Sequence, residues 1–223
     1  MHTALTIVAE RGRSPRIRAS GGLAARITGP DTVHLISAAA TPLGGDHLEI
    51  ALRVGPGASL TVRTVAAALA LPGAEELVST ARWDIRVDRD AELLLDPEPM
   101  VVAADADHWT HTRLELTSSS RVTVRERAQI GRTGERGGRW SGALHADLDG
   151  MPLLRHRLEL GAGTVGHDLL DAPMAVQSEL VFPDERSAVV ERYPAGGSWV
   201  RMPLAAGGSL GTRLGRALTT VNS

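Results

Sequence analysis

Three stretches of this chain repeat one template, and a repeat of a few tens of residues restricts the fold more than any single motif does. Each stretch has two alternating apolar residues, a three-residue polar or glycine turn, one small or polar residue, and two more alternating apolar residues. The copies are Leu52/Val54-GPG-Ala58/Leu60/Val62, Ile85/Val87-DRD-Ala91/Leu93/Leu95 and Leu114/Leu116-TSS-Ser120/Val122/Val124. Alternation with a period of two marks strands with one apolar face, so each copy reads as a hairpin. One hairpin cannot bury that face alone, whereas stacked copies form a continuous core. A fourth copy starts at Leu158/Leu160-GAG and decays at Thr164. The expectation is a mostly β protein, a layered sandwich or solenoid-like stack of β-hairpins.

The remaining segments agree with that class. Leu5 to Ile7, Leu23 to Ile27 and Val33 to Ile36 are short alternating runs between the turn sequences GRSP, SGG and TGPD. Residues 144–160 predict a further hairpin around Asp149-Gly150, a standard pair for a tight β-connection. Val176, Ser178, Leu180 and Phe182 alternate again, and residues 199–204 predict a last strand. Two segments read as a small helical part. Residues 65–71 are rich in Ala and Leu but short, while residues 209–221 place Leu210, Leu214, Ala217, Leu218 and Val221 at helical spacing, which predicts a C-terminal helix. At 223 residues the β-rich classes often form one unit, so a single domain over residues 1–223 is expected.

One residue breaks the template. At offset twelve the copies carry Thr64, Pro97 and Glu126, so only the third places a charge there. The period of two puts Glu126 on the apolar face with Val122, Val124, Ala128 and Ile130, while Arg125, Arg127 and Gln129 face the other way. A carboxylate so placed needs a partner or a purpose: a functional site, or a buried ion pair with an arginine.

Composition narrows the partners. The formal charge of -2, with both signs interspersed, gives no electrostatic footprint for nucleic acid or an anionic membrane. No run approaches the length of a membrane-spanning helix, and the first residues lack a signal-peptide core; a soluble, cytoplasmic protein is expected. The chain has no Cys, which removes disulfides, thiolate nucleophiles and zinc fingers. Its cations are all Arg, which removes Lys-based Schiff-base or P-loop chemistry.

Catalytic motifs are scarce. None of the eight histidines falls in HExxH, and there is no GxSxG or GxGxxG sequence. The stretch DADHWTH collects Asp105, Asp107, His108 and His111, which could hold a borderline cation such as nickel or zinc, although a solvated loop is the ordinary reading. Paired carboxylates, Asp96/Glu98 or Asp168/Asp171 with Glu126, allow an alternative reading as a carbohydrate-processing hydrolase. Sugar sites usually carry aromatic platforms, and this chain is 3% aromatic. A self-assembling structural β-protein is a third reading. GRTGERGGR could cradle an anion through its backbone N–H groups, or form a solvated turn.

Taken together, three stretches resemble the UreD/UreH family of urease accessory proteins: PLGGDHLEIALRVGPGASLTVRT (residues 42–64), DPEP (96–99) and VRERAQIGRTGERGGRWSGALHADLDGMPLLRHRLEL (124–160). The resemblance runs over roughly residues 20–205 and rests on the order and spacing of these elements. It implies a UreD-like β domain acting as a non-catalytic scaffold for the nickel centre of urease. Apo-urease, the helical accessory protein UreF and, through it, the GTPase UreG would be its partners. It also implies no tightly bound cofactor, transient nickel, and an internal water-filled route for the ion. Asp46 and Glu126 match motif carboxylates and are the candidate contacts along that route; Gly44, Gly45, Gly131, Arg132 and Glu135 match turn elements and would brace them. The family usually has a longer helical tail than the end ALTTVNS, which implies a reduced or rearranged contact with the helical partner.

Overall fold

The computed structural model describes residues 1–135, 137–193 and 196–218, with Asp168 described through its backbone only. The strands in chain order are β1 (His2–Ala9), β2 (Arg16–Ser20), β3 (Leu23–Ile27), β4 (Thr32–Ser37), β5 (His47–Val54), β6 (Ser59–Thr64), β7 (Ala68–Ala70), β8 (Val78–Val87) and β9 (Glu92–Asp96). They continue as β10 (Met100–Val102), β11 (Asp107–Leu116), β12 (Arg121–Ile130), β13 (Arg139–Leu148), β14 (Met151–Leu160), β15 (Ala175–Phe182), β16 (Val189–Arg192), β17 (Ser198–Pro203) and β18 (Ser209–Gly215). A short helix, α1 (Val165–Leu169), lies between β14 and β15. No helix among the described residues is long and apolar enough to cross a membrane.

These strands form two sheets. One runs β14-β13-β11-β8-β5-β1-β2; the other runs β16-β17-β18-β15-β12-β9-β6-β4-β3, with β10 beside β12 and β7 beside β10. Alternation along each strand sends one set of side chains between the sheets. Leu52, Ile85 and Leu114 from the first meet Leu60, Leu93 and Val122 from the second in one buried cluster.

The repeat is real, but its units are arches rather than hairpins. In each copy the first arm joins one sheet and the second arm joins the other, so the arms pack through side chains and share no ladder. Copies then stack in parallel and in register: Leu52 pairs with Ile85 and Ile85 with Leu114, while Leu60 pairs with Leu93 and Leu93 with Val122. The same turn bond closes all three arches, from Ala58 N to Gly55 O (3.0 Å), Ala91 N to Asp88 O (3.2 Å) and Ser120 N to Thr117 O (3.0 Å). Ala58, Ala91 and Ser120 are all buried at the corner between the sheets, which is why the template carries a small residue there. The expected fourth copy is not a rung, because β14 returns antiparallel to β13 in the same sheet through the predicted Asp149-Gly150 turn.

The expected helices are corrected. Residues 209–215 form β18, antiparallel to β15 with Leu210 opposite Leu180 and Leu214 opposite Val176. Leu210 and Leu214 are four apart, which suits a strand face as well as a helix, and the ladder to β15 decides. Val221 lies outside the described residues. Within residues 65–71 the regular element is β7, parallel to β10.

Candidate functional site

Two apolar clusters fill the space between the sheets. The larger contains the arch residues, and the smaller holds Ala106, Ala128, Ile130, Trp140, Leu160 and Val176. Between them the inward positions turn polar: His108, Thr110 and Thr112 on β11, Glu126 on β12, His156 on β14 and Ser178 on β15. These side chains line a cavity of about 330 Å³. Its lining runs from exposed Ser37 and residues 65–67 inward to buried His108 and Trp140, so it reaches the surface beside the end of β4.

Glu126 stands on the inward face of β12, opposite Ser178 of β15, as the period of two requires. The side chain is half-buried by area because it faces the cavity, yet the packed protein dominates its charge. Burial pushes its carboxyl up to about 8, opposed only by the hydrogen bond from Thr110. Among the described residues the alternative of an ion pair with an arginine finds no partner, because Arg125 and Arg127 face outward and hold Asp96 at 3.1 and 2.7 Å. Gly142 makes room for this arrangement. A Cβ there would lie 2.2 Å from the Trp140 ring and 3.0 Å from Glu126 Oε2.

His108 is fully buried, with Nδ1 2.9 Å from Ser79 Oγ and, among the described residues, no partner for Nε2. Burial pushes its pKa down to about 4, so the imidazole is neutral near pH 7. When Nδ1 donates to Ser79, Nε2 keeps a free lone pair, the form that ligates a metal. Trp140 Nε1 is likewise buried without a partner among the described residues. Leaving such groups unpaired costs about 1–3 kcal/mol each unless something in the cavity meets them. A polar, roomy cavity with unspent donors and acceptors suits water or a weakly held ion.

The other sequence candidates fall elsewhere. DADHWTH is no loop over Asp107 to His111, which begins β11, and the strand splits the cluster between faces. His108 points in with Leu114 and Leu116; His111 is exposed; Asp107 faces out and accepts from Trp109 Nε1 at 2.8 Å. Asp105 sits in the preceding turn with φ 65°. No group of three or more His, Cys, Asp or Glu side chains among the described residues is placed to hold a metal ion.

Asp46 is 4% exposed with its oxygens committed: Thr41 Oγ1 donates at 2.8 Å, Leu43 N at 2.9 Å and the Met1 amino group at 2.6 Å. Burial raises its pKa and these bonds outweigh that, leaving it below the usual carboxylate value. Metal contact would require exchanging them. Gly44 lies so close to residues 73–76 that a Cβ would stand 1.8 Å from Glu76 O, and Gly45 takes φ 85° beside it. Glu135 accepts from Arg132 Nε at 2.7 Å and Arg132 N at 3.1 Å, which holds its carboxyl down at about 2 and closes the turn that Gly131 opens with φ 76°.

The paired-carboxylate reading finds no common site. Asp96 lies on the outer face of β9 among Arg63, Arg125 and Arg127, on the side of the sheet away from Glu126. Asp168 and Asp171 fall in and just after α1, and Asp171 lines no part of the cavity. What sequence reasoning missed is the polar belt on β11. Its signal was present, since His108, Thr110 and Thr112 are in phase with Leu114 and Leu116.

A family model described as UreD urease accessory protein matches residues 17–183, which takes in every residue of the belt. The chain is 37% identical over 196 residues to urease accessory protein UreD 1 of Saccharopolyspora erythraea, covering 86% of this chain and 74% of that protein. It is 39% identical over 158 residues to urease accessory protein UreD of Streptomyces coelicolor, covering 68% of this chain and 61% of that protein. With the UreD of Frankia alni the identity is 39% over 169 residues, covering 67% of this chain and 57% of that protein. The chain therefore spans between 57% and 74% of these relatives' own length.

Proposed function

The chain belongs to the UreD family of urease accessory proteins, a family of assembly factors rather than enzymes, and from this membership we propose that its interior belt passes nickel toward urease. An accessory role implies contact with urease and with other accessory proteins. The finer reading is that apo-urease, the helical protein UreF and, through UreF, the GTPase UreG bind one domain formed by residues 1–223, in the cytoplasm.

The observation that carries the reading is Glu126, a carboxyl in the cavity without an ionic partner among the described residues, together with buried His108, whose Nε2 has no partner among them either. Transit needs ligands that hold an ion briefly. A carboxyl that exchanges its proton near pH 8 and one neutral imidazole can do so without the closed cage of a structural site. In that role nickel is cargo, and no tightly bound cofactor is required. Arg132 and Glu135, with the turn at Gly44 and Gly45, brace the ends of the strands, and Asp46 contributes to the route where its hydrogen bonds exchange.

The test is activation of urease co-expressed with Glu126→Gln at limiting nickel. Because no arginine among the described residues pairs with Glu126, the variant should accumulate in soluble form at the parental level while activation falls several-fold. Full activation with parental yield removes Glu126 from the route.

A further inference from the structure

The structure assigns a second, separate metal site: we propose that His111 and His145, on the outer face of the β11/β13 sheet, chelate one borderline divalent ion of the zinc, nickel and copper class. The site stands on the opposite side of the sheet from the cavity and does not depend on the interior route.

The two residues come from neighbouring parallel strands. His111 pairs in register with Ala143 and His145 with Arg113, so the imidazoles meet on the diagonal. Their rings lie edge to face with centroids 4.9 Å apart, and His111 Nε2 is 3.5 Å from His145 Nδ1. A tetrahedral ion with metal–nitrogen bonds of about 2.0–2.1 Å spans two ligand nitrogens about 3.4 Å apart. The observed separation therefore matches the bite of such a chelate with little movement. At that distance the direct nitrogen–nitrogen hydrogen bond is weak, so little is lost when an ion replaces the shared proton.

The surroundings favour the neutral form of His111, at some cost to a bound cation. Burial, then the neighbouring His145, Arg82 and Arg113, hold the His111 pKa below its usual value. Three of the nearby guanidinium groups have carboxylate partners. Arg113 meets Glu115 at 3.0 Å, Arg157 meets Glu159 at 2.7 Å and Arg155 meets Asp147. On β8, Arg82 has no ion pair among the described residues, since Glu49 in register with it on β5 meets His2 at 3.6 Å and Asp84 is taken by Arg53 at 2.7 Å, and its charge is one reason the site binds weakly. With two protein ligands the ion keeps open positions, so the site binds weakly and exchanges readily, in the affinity order copper above nickel and zinc.

The experiment titrates zinc chloride, then nickel chloride, into the full chain near pH 7.5 by calorimetry, with histidine ring nitrogens followed by NMR. One equivalent should bind, the His111 and His145 ring signals should shift together, and binding should fade on acidification as the imidazoles protonate. His111→Ala and His145→Ala should each weaken that equivalent at least about 10-fold, while His34→Ala leaves it unchanged. Both target side chains are on the outer face, so these variants keep the core. Binding that survives both alanine substitutions, or no saturable binding up to millimolar metal, overturns the assignment. Neither outcome bears on urease activation, which tests the interior route alone.

Discussion

Glu126→Gln removes a titratable group while keeping the side chain's shape, and the structure fixes what that should do to stability. In the unfolded chain the carboxyl loses its proton near its ordinary value of 4.5, whereas in the fold burial keeps the proton until about 8. Between those values the folded state binds more protons, so stability falls as pH rises, by about 1.36 kcal/mol per pH unit. The favourable contribution is complete below 4.5 and lost by about 8, an interval worth about 5 kcal/mol. Water in the adjoining cavity solvates the anion and trims this to about 2–5 kcal/mol. Glutamine abolishes the dependence. Urea unfolding followed by tryptophan fluorescence should show the two proteins equal within about 1 kcal/mol near pH 4.5 and the variant more stable by about 2–5 kcal/mol near pH 8.5. Taking the difference between the proteins cancels every other titrating group. Parallel stability curves, or a variant less stable at high pH, would refute the reasoning that burial without a cation controls this carboxyl.

Two further substitutions test the frame around the site. Asp96, whose side chain is 12% exposed, meets Arg127 at 2.7 Å, Arg125 at 3.1 Å and Arg63 at 3.9 Å, and these outweigh the effect of burial to hold its pKa below the ordinary value. Asp96→Asn should cost about 2 kcal/mol at neutral pH, less than a fully buried pair because the arginines reach solvent. Since the depressed group stabilises fully above its unfolded pKa of 3.8 and loses that contribution as pH falls through its lower folded value, the difference should vanish in acid below both; a difference unchanged there would count against the ion cluster. Gly142→Ala should push the Trp140 ring, whose atoms a Cβ would meet at 2.2 and 2.3 Å, and cost about 1–3 kcal/mol with an altered near-UV circular dichroism signal. An unshifted unfolding midpoint would show that the ring moves freely.

The sequence by itself determined most of the strands and which of their positions are equivalent. A period of two and a turn of constant length put Leu52, Ile85 and Leu114 in equivalent places, and the same spacing turned Glu126 inward. Those facts are local, because the alternation of side chains belongs to the strand itself. Tertiary structure decided what local rules leave open. A three-residue turn serves a hairpin or an arch equally well, and only the choice of hydrogen-bond partner across the molecule made these arches with parallel stacking. Likewise Leu210 and Leu214 suit either a helix or a strand until β15 offers its edge. The polar belt draws His108, Glu126, His156 and Ser178 from four strands, so no short window of sequence contains it. Nor does any window show that His111, expected beside His108, meets His145 instead. Adjacent residues of a strand face opposite sides of the sheet, and residues far apart in the chain meet only where the sheets bring their strands together.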